Sequence, residues 1–230
     1  ETLALAIDDA ENNEDLILAN DLFVLPEDYM YSGYYAVMIS GKSLSLDLNG
    51  HTLSSDADAT IYISSSGTLT LKDSAGSGIV ENQNGWDSIG VYGTLIMEGG
   101  HLHSENGYAL YNYYFDASTY GTTIIYNGTL TSESLAIANS GVLEIHDASI
   151  DGVINDLDNS GNLTVVGTLS LDDIALKNGG DAPDLSDNGT MLLQGGADFS
   201  VGTVYYTEDV TTIIVEAGAV VSGITGVVAP

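Results

Sequence analysis

The chain has 230 residues, a hydrophobic content of 44% and a formal net charge of −30, because 33 acidic residues stand against three lysines and no arginine. This charge excludes a nucleic-acid partner, since almost no cationic side chain could neutralise phosphates, and it disfavours anionic membrane surfaces. No apolar run reaches the roughly 18 residues that would span a membrane. The acidic surface is typical of a soluble, exposed rod, and calcium binding is the alternative interpretation.

The first predicted element is a short helix over residues 2–10, where apolar residues recur with helical spacing at positions 3, 6, 7 and 10. Thr2 is a suitable N-cap for it. Asn12 and Asn13 then interrupt the pattern, and short strands are predicted at residues 16–18 and 22–24. A solenoid must cover its exposed first coil. We therefore predict that residues 1–25 form an N-terminal cap made of a helix and the first strands.

From residue 41 onward, a glycine followed by alternating apolar residues returns at least seven times. Clear copies are Gly67-Thr-Leu69-Thr-Leu71 and Gly93-Thr-Leu95-Ile-Met97. The opening glycines lie at positions 41, 67, 93, 121, 141, 161 and 189, so the successive spacings are 26, 26, 28, 20, 20 and 28 residues. Repeats of this length that contain alternating strands are typical of solenoids, in which each coil packs on its neighbours.

Each repeat predicts three short strands joined by turns rich in Gly, Asn and Asp, and residues 26–230 are therefore predicted to form an all-β, right-handed parallel β-helix. The hand follows from the strong preference of parallel crossover connections. Alternation places one set of apolar side chains inside: Leu44, Leu46, Leu69, Leu71, Leu95, Met97, Leu143, Ile145, Leu163, Val165, Met191 and Leu193. An antiparallel β-sandwich is the alternative, but equivalent apolar positions in coil after coil favour the solenoid. We expect the chain to be a fragment of a longer exported protein.

The octet Leu46-Asp-Leu-Asn-Gly-His-Thr-Leu53 is more specific than the repeat. It resembles the signature of adhesin-like, pectate-lyase-like β-helix proteins on the surface of gut bacteria, and the resemblance extends over about residues 2–200. It implies an extracellular location on a bacterial cell surface and a role in adhesion or extended display. Because one fold hosts many functions, it implies the fold more strongly than the function.

Catalytic residues are not evident, and we expect a non-catalytic protein. The lyases of this fold typically use Arg or Lys as the base, whereas this chain has no arginine, and Lys42 and Lys72 are expected at exposed turn or edge positions. Glycosidases use paired carboxylates. The candidate pairs are Asp56/Asp58, Asp156/Asp158 and Asp172/Asp173, all in predicted turns, where Asp commonly serves the turn itself. The alternative function is a polysaccharide-active enzyme, hydrolase or lyase, that uses such acidic residues.

Aromatic residues concentrate in the longer coils, at about residues 81–92 and 107–120. Stacking of the coils should bring them to one flank, where rings suit contact with a sugar and an exposed apolar patch would indicate an interaction site. The candidate ligand-binding residues are Trp86, Tyr92, Tyr111, Tyr113 and Tyr114. The expected partner is a glycan or a host or bacterial surface protein. The other interpretation is that these insertions fold back and bury their rings against the solenoid.

No cofactor is expected other than Ca²⁺, which takes six to eight oxygen ligands, often from several carboxylates. The densest acidic cluster comprises Asp181, Asp184 and Asp187, and it is the candidate metal site. Asp56 and Asp58 form a second cluster. His101 and His103 flank Leu102 in an alternating strand and are therefore predicted to point outward together, close enough to chelate a metal. A chance pair of exposed histidines is the more common situation.

Overall fold

The computed structural model describes residues 2–83, 86–116, 119–139 and 141–146, and beyond them the strands given below. Side chains are described within residues 2–146, except at 32, 84–85, 114–119, 133–135 and 140. The all-β solenoid with one short N-terminal helix, predicted from the repeat, is confirmed.

Helix α1 spans Leu3–Asp9 and covers the first coil of the solenoid. As predicted, Thr2 is its N-cap, and the Thr2 hydroxyl accepts a hydrogen bond from the backbone N–H of Leu5 at 3.3 Å. Ile7 is buried in the core and Leu3 packs against it, so the helix closes the apolar end of the solenoid. Among the residues that the structure describes, no helix is long and apolar enough to cross a membrane.

Lys42 closes the C-terminal end of α1. Its ammonium group donates hydrogen bonds to the carbonyl oxygens of Ile7, Asp8 and Ala10 at 2.9, 2.9 and 3.0 Å. The last carbonyls of a helix lack partners within the helix, and that end favours a cation. The expectation of an exposed turn residue is therefore wrong for Lys42, which is half-buried and fastens the cap to the next coil.

After α1, the chain forms two 3₁₀ turns, Pro26–Asp28 and Tyr31–Gly33, and a succession of short strands. In chain order these strands are β1 (Glu14–Ile17), β2 (Leu22–Phe23), β3 (Tyr35–Ile39), β4 (Ser43–Asp47), β5 (Thr52–Ser55), β6 (Ala59–Ile63), β7 (Thr68–Lys72), β8 (Ile79–Asn82), β9 (Asp87–Val91), β10 (Thr94–Met97), β11 (His101–Ser104), β12 (Tyr108–Asn112), β13 (Tyr114–Asp116), β14 (Thr119–Tyr120), β15 (Thr122–Ile125), β16 (Thr129–Asn139) and β17 (Val142–Ile145). The strands described further along are β18 (Ser149–Asp156), β19 (Asn162–Val165), β20 (Ser170–Asp172), β21 (Ala175–Asn178), β22 (Thr190–Leu193), β23 (Asp198–Phe199), β24 (Thr203–Tyr206), β25 (Thr212–Val215), β26 (Val220–Val221) and β27 (Ile224–Gly226).

The strands stack in parallel rows, one strand from each coil. The first row is a nine-stranded sheet in the order β1-β4-β7-β10-β15-β17-β19-β22-β25. The second row begins β2-β5-β8-β11, and the third begins β3-β6-β9-β12; the long strand β16 pairs with β11 at one end and with β12 at the other, which joins these two rows. From β1 to β17, neighbouring strands of the first row pair in register, so a side chain in one coil lies directly over its equivalent in the next.

The interior is filled by the columns that the alternation predicted. Of the predicted interior residues, those up to Ile145 are all buried, with exposed fractions of 3% or less. The side chains of the remaining four, from Leu163 to Leu193, lie outside the described residues. The threonines between the buried leucines, such as Thr68 and Thr70, are half-buried on the outer face. Burial of one continuous column of side chains is what stabilises a solenoid of this kind.

Close backbone contact between coils explains four of the five opening glycines that the structure describes. At Gly93, a β-carbon would overlap the carbonyl oxygens of Ser64 and Gly67 in the preceding coil. A β-carbon at Gly67 would in turn overlap the carbonyl oxygen of Ile39. Gly41 is the exception, because nothing lies within 4 Å of its β-carbon position and its φ of +68° is what favours glycine there.

Candidate functional site

Five tyrosines from successive coils make a continuous row of ring contacts on one flank, which we call the tyrosine row: Tyr35, Tyr62, Tyr92, Tyr111 and Tyr113. Tyr35 and Tyr62 stack with centroids 4.0 Å apart, and Tyr92 and Tyr113 stack at 4.5 Å. Tyr62 contacts Tyr92 at 5.8 Å, and Tyr111 stacks on Tyr113 at 3.7 Å. Because the rings cover one another's faces, the row offers a ligand mainly ring edges and hydroxyl groups.

A glycine makes room for this row. Tyr62, Gly90 and Tyr111 occupy equivalent positions in β6, β9 and β12. Gly90 has no side chain, and the Tyr113 ring takes the space over it: a β-carbon at Gly90 would lie 3.0 Å from Cε2 of Tyr113. The row therefore continues across a coil whose own strand contributes no ring at that position.

Trp86 stands apart from the row. It is 67% exposed and makes no ring–ring contact with the residues that the structure describes. Its backbone N–H donates a hydrogen bond to the carbonyl oxygen of Asp58 at 3.2 Å, which fixes its position against the preceding coil. Unlike the stacked tyrosines, Trp86 offers an open indole surface to a ligand.

A cavity of about 180 Å³ lies between Trp86 and the tyrosine row. Asp58 and Trp86 are exposed at its rim, and Asp87 is 1% exposed at its base. The lining residues come from several coils: Tyr35, Asp58, Trp86, Asp87, Tyr111 and Tyr113. Two carboxyl groups and four aromatic rings therefore meet in one depression on the flank.

Asp87 is the most perturbed group of this cavity. Its Oδ2 accepts a 2.8 Å hydrogen bond from the hydroxyl of Tyr113, whereas its Oδ1 has no hydrogen-bond partner among the described residues. Burial raises the pKa of Asp87 to about 7; the carboxylate of Asp58 acts in the same direction, and the bond from Tyr113 opposes it. Near neutral pH the carboxyl group is therefore present both in its protonated and in its ionised form.

The structure brings together three of the five residues predicted to bind a ligand. Trp86, Tyr111 and Tyr113 line the cavity, and Tyr92 lies in the tyrosine row beside it. Tyr114 begins β13, and its side chain lies outside the described residues. The predicted metal ligands Asp181, Asp184 and Asp187 also lie outside the described residues.

Two of the polar and aromatic residues that line the cavity were not predicted from the sequence, Asp87 and Tyr35. A usable signal existed for Asp87, since it directly follows the candidate Trp86 and opens β9, in which every residue is buried. An acidic side chain in a fully buried strand is rare without a partner. Asp58 was considered only together with Asp56 as a pair in a turn, and Asp56 does not line the cavity.

The histidine pair points to one side of β11, as predicted, and one nitrogen of each ring contacts the same hydroxyl group. His101 Nε2 and His103 Nδ1 each lie 2.7 Å from the hydroxyl oxygen of Thr131. A hydroxyl can donate to one ring and accept from the other. Within the described part of the chain, no group of three or more His, Asp or Glu side chains is placed to hold a metal ion.

Comparison of the chain with models of protein families, with curated proteins and with solved structures finds no match. The resemblance of the octet at residues 46–53 to surface adhesins remains a prediction. The geometry of the cavity and of the flank around it is therefore the basis on which we infer a function.

Proposed function

We propose that this solenoid is a non-catalytic carbohydrate-binding protein of a bacterial cell surface, which binds glycans at the cavity and along the tyrosine row. The observation that carries the proposal is the exposed indole of Trp86 beside a cavity lined by carboxyl and phenol groups. Sugars present apolar C–H faces and many hydroxyl groups, so a binding site needs an open ring and several hydrogen-bonding groups close to it.

The rigidity of the flank supports this function. Each ring of the tyrosine row is fixed by its neighbours, and the bond from Tyr113 to Asp87 holds the base of the cavity. A preformed site loses little conformational entropy when it binds. A rod of stacked coils also suits display of such a site away from a cell surface, which agrees with the adhesin role that the octet implies.

The proposal is tested by probing a glycan array with the wild-type protein and with two variants. Trp86→Ala should lose the glycans that the wild type binds, because the open stacking surface is gone. Tyr126→Ala is the matched control, since Tyr126 is an exposed aromatic residue, 47% exposed, that does not line the cavity. An array without any bound glycan, or equal binding by Trp86→Ala, would refute the proposal.

A polysaccharide-active enzyme is the second candidate function, and the specific observation in its favour is that Asp58 and Asp87 line the same cavity. Paired carboxyl groups, one with a raised pKa, are what glycoside hydrolysis requires. The two functions separate in one assay: the protein is incubated with each glycan that it binds, and reducing ends are measured over time. We expect the wild type to release no more reducing ends than Asp87→Asn does. Release by the wild type that is absent in Asp87→Asn would show that the protein is an enzyme and would refute the non-catalytic function.

A further inference from the structure

We infer that the cavity between Trp86 and Asp87 receives an ammonium group, and that the glycan bound there carries a free primary amine, as a glucosamine unit does. The glycan part of this inference rests on the proposed function. The ammonium part rests on the size, the unpaired acceptor and the charge of the cavity.

The size of the cavity fits an end group. A volume of about 180 Å³ is small beside the roughly 300–1,000 Å³ of pockets that enclose a whole drug-sized ligand. The cavity therefore accepts one substituent or one sugar unit, while the rest of an oligosaccharide would lie on Trp86 and the tyrosine row.

Asp87 lines the cavity, and one of its two carboxyl oxygens is not paired by the described part of the chain. Asp87 Oδ1 is buried and has no hydrogen-bond partner in the described part of the chain. The two lysines whose side chains the structure describes do not compensate its charge: Lys42 is bound to the end of α1, and Lys72 faces Asp15 at 3.6 Å. A buried carboxylate without a counter-charge is costly in free energy. A ligand that brings both a hydrogen-bond donor and a positive charge should therefore bind more tightly here than elsewhere on the surface.

An ammonium group meets both requirements, because it carries three N–H donors and a positive charge. Asp87 at the base and Asp58 at the rim supply negative charge from two sides. Trp86 adds an aromatic face that no other ring of the described residues covers, and an open face of this kind attracts a cation. A neutral sugar could donate a hydroxyl to Oδ1 but would leave the charge uncompensated, and a uronic acid would be repelled.

The test compares two tetrasaccharides of equal length, one of glucosamine and one of N-acetylglucosamine, by calorimetry near neutral pH. About 150 mM salt screens the exposed part of the −30 charge, so that general attraction of cations is reduced. We expect the amine-bearing tetrasaccharide to bind at least about tenfold more tightly, which is the effect of one charge-assisted hydrogen bond. Asp87→Asn should abolish this preference and leave binding of the acetylated compound within about twofold.

Asp56→Asn is the matched control, because it removes the same charge from an exposed residue that does not line the cavity. It should keep the full preference, and Asp58→Asn at the exposed rim should reduce it without risk to the fold. Equal binding of the two tetrasaccharides to the wild type would overturn the ammonium inference and leave the proposed function standing. If methylammonium binds and neither tetrasaccharide does, the cavity is an ammonium site but a glycan is not the source of the amine. This outcome would also refute the proposed function.

Discussion

The hydroxyl of Tyr113 donates a 2.8 Å hydrogen bond to Oδ2 of Asp87, a carboxyl group that is only 1% exposed. The same Tyr113 ring stacks on Tyr92 and on Tyr111. One side chain thus belongs both to the tyrosine row and to the base of the cavity. The position of the acceptor in the cavity therefore depends on the stacking of rings from two neighbouring coils.

Asp87→Asn should make the protein more stable at neutral pH. The pKa of Asp87 is raised from 3.8 to about 7 in the folded state, so the folded state keeps a proton that the unfolded state has lost. Stability therefore falls as the pH rises from about 4 to about 7, by up to roughly 4 kcal/mol, and then stays level. Denaturant unfolding across this pH range should show a free energy of unfolding that falls for the wild type. For Asp87→Asn the contribution of this group to the pH dependence should be absent.

Asp56→Asn provides the control for that measurement, since its carboxyl group is exposed. It should leave the pH dependence between about 4 and 7 as it is in the wild type. A wild-type stability that is flat across this interval would mean that Asp87 titrates normally and that the cavity does not desolvate it.

Tyr113→Phe separates the hydrogen bond from the stacking. The phenylalanine ring can keep its contacts with Tyr92 and Tyr111, but the bond that lowers the pKa of Asp87 is lost. We expect the pKa of Asp87 to rise by about one to two units, the equivalent of one hydrogen bond to a charged group. Titration of the side-chain carboxyl carbon by NMR measures this directly. Tyr92→Phe, which alters the same row without touching the bond, should leave that pKa in place.

The sequence was enough to predict the fold because a solenoid is built from local, periodic contacts. The glycine spacing located the coils, and the alternation of Leu69 and Leu71 with Thr68 and Thr70 identified the buried face. The N-cap at Thr2 followed from the same local rules. These features depend on neighbours in the chain or on the identical position one coil away.

The cavity could be predicted only in part, because it depends on the register between unlike coils. Trp86, Tyr111 and Tyr113 were found as members of aromatic-rich insertions. Asp87 and Tyr35 join them only because β9 lies between β6 and β12 and because Gly90 leaves space for a ring from the next coil. The residue pattern within one coil does not predict which residues of different coils lie side by side at the cavity.

The repeat glycine provides a prediction about stability. Gly93→Ala would press a β-carbon against the carbonyl oxygens of Ser64 and Gly67, so the coils must move apart, at a cost of about 1–3 kcal/mol. Gly99→Ala is the matched control, because its β-carbon would lie 3.5 Å from the nearest atom, the backbone nitrogen of Asp73. Urea unfolding should show a lower midpoint for Gly93→Ala only. Equal midpoints would mean that close contact between coils does not explain the repeat.

Lys42→Met tests how the cap is fastened. Methionine keeps the length of the side chain but removes the three hydrogen bonds to the end of α1, which should cost the cap about 1.5–3 kcal/mol. Lys72→Met removes a second lysine, whose partner Asp15 is 72% exposed, and such surface pairs contribute at most about 1 kcal/mol. Hydrogen exchange of the Ala10 amide, which is bonded to the carbonyl oxygen of Ala6, reports on α1 itself. Exchange should accelerate in Lys42→Met and stay close to the wild-type rate in Lys72→Met; equal protection in both would show that packing of Ile7 alone holds the cap in place.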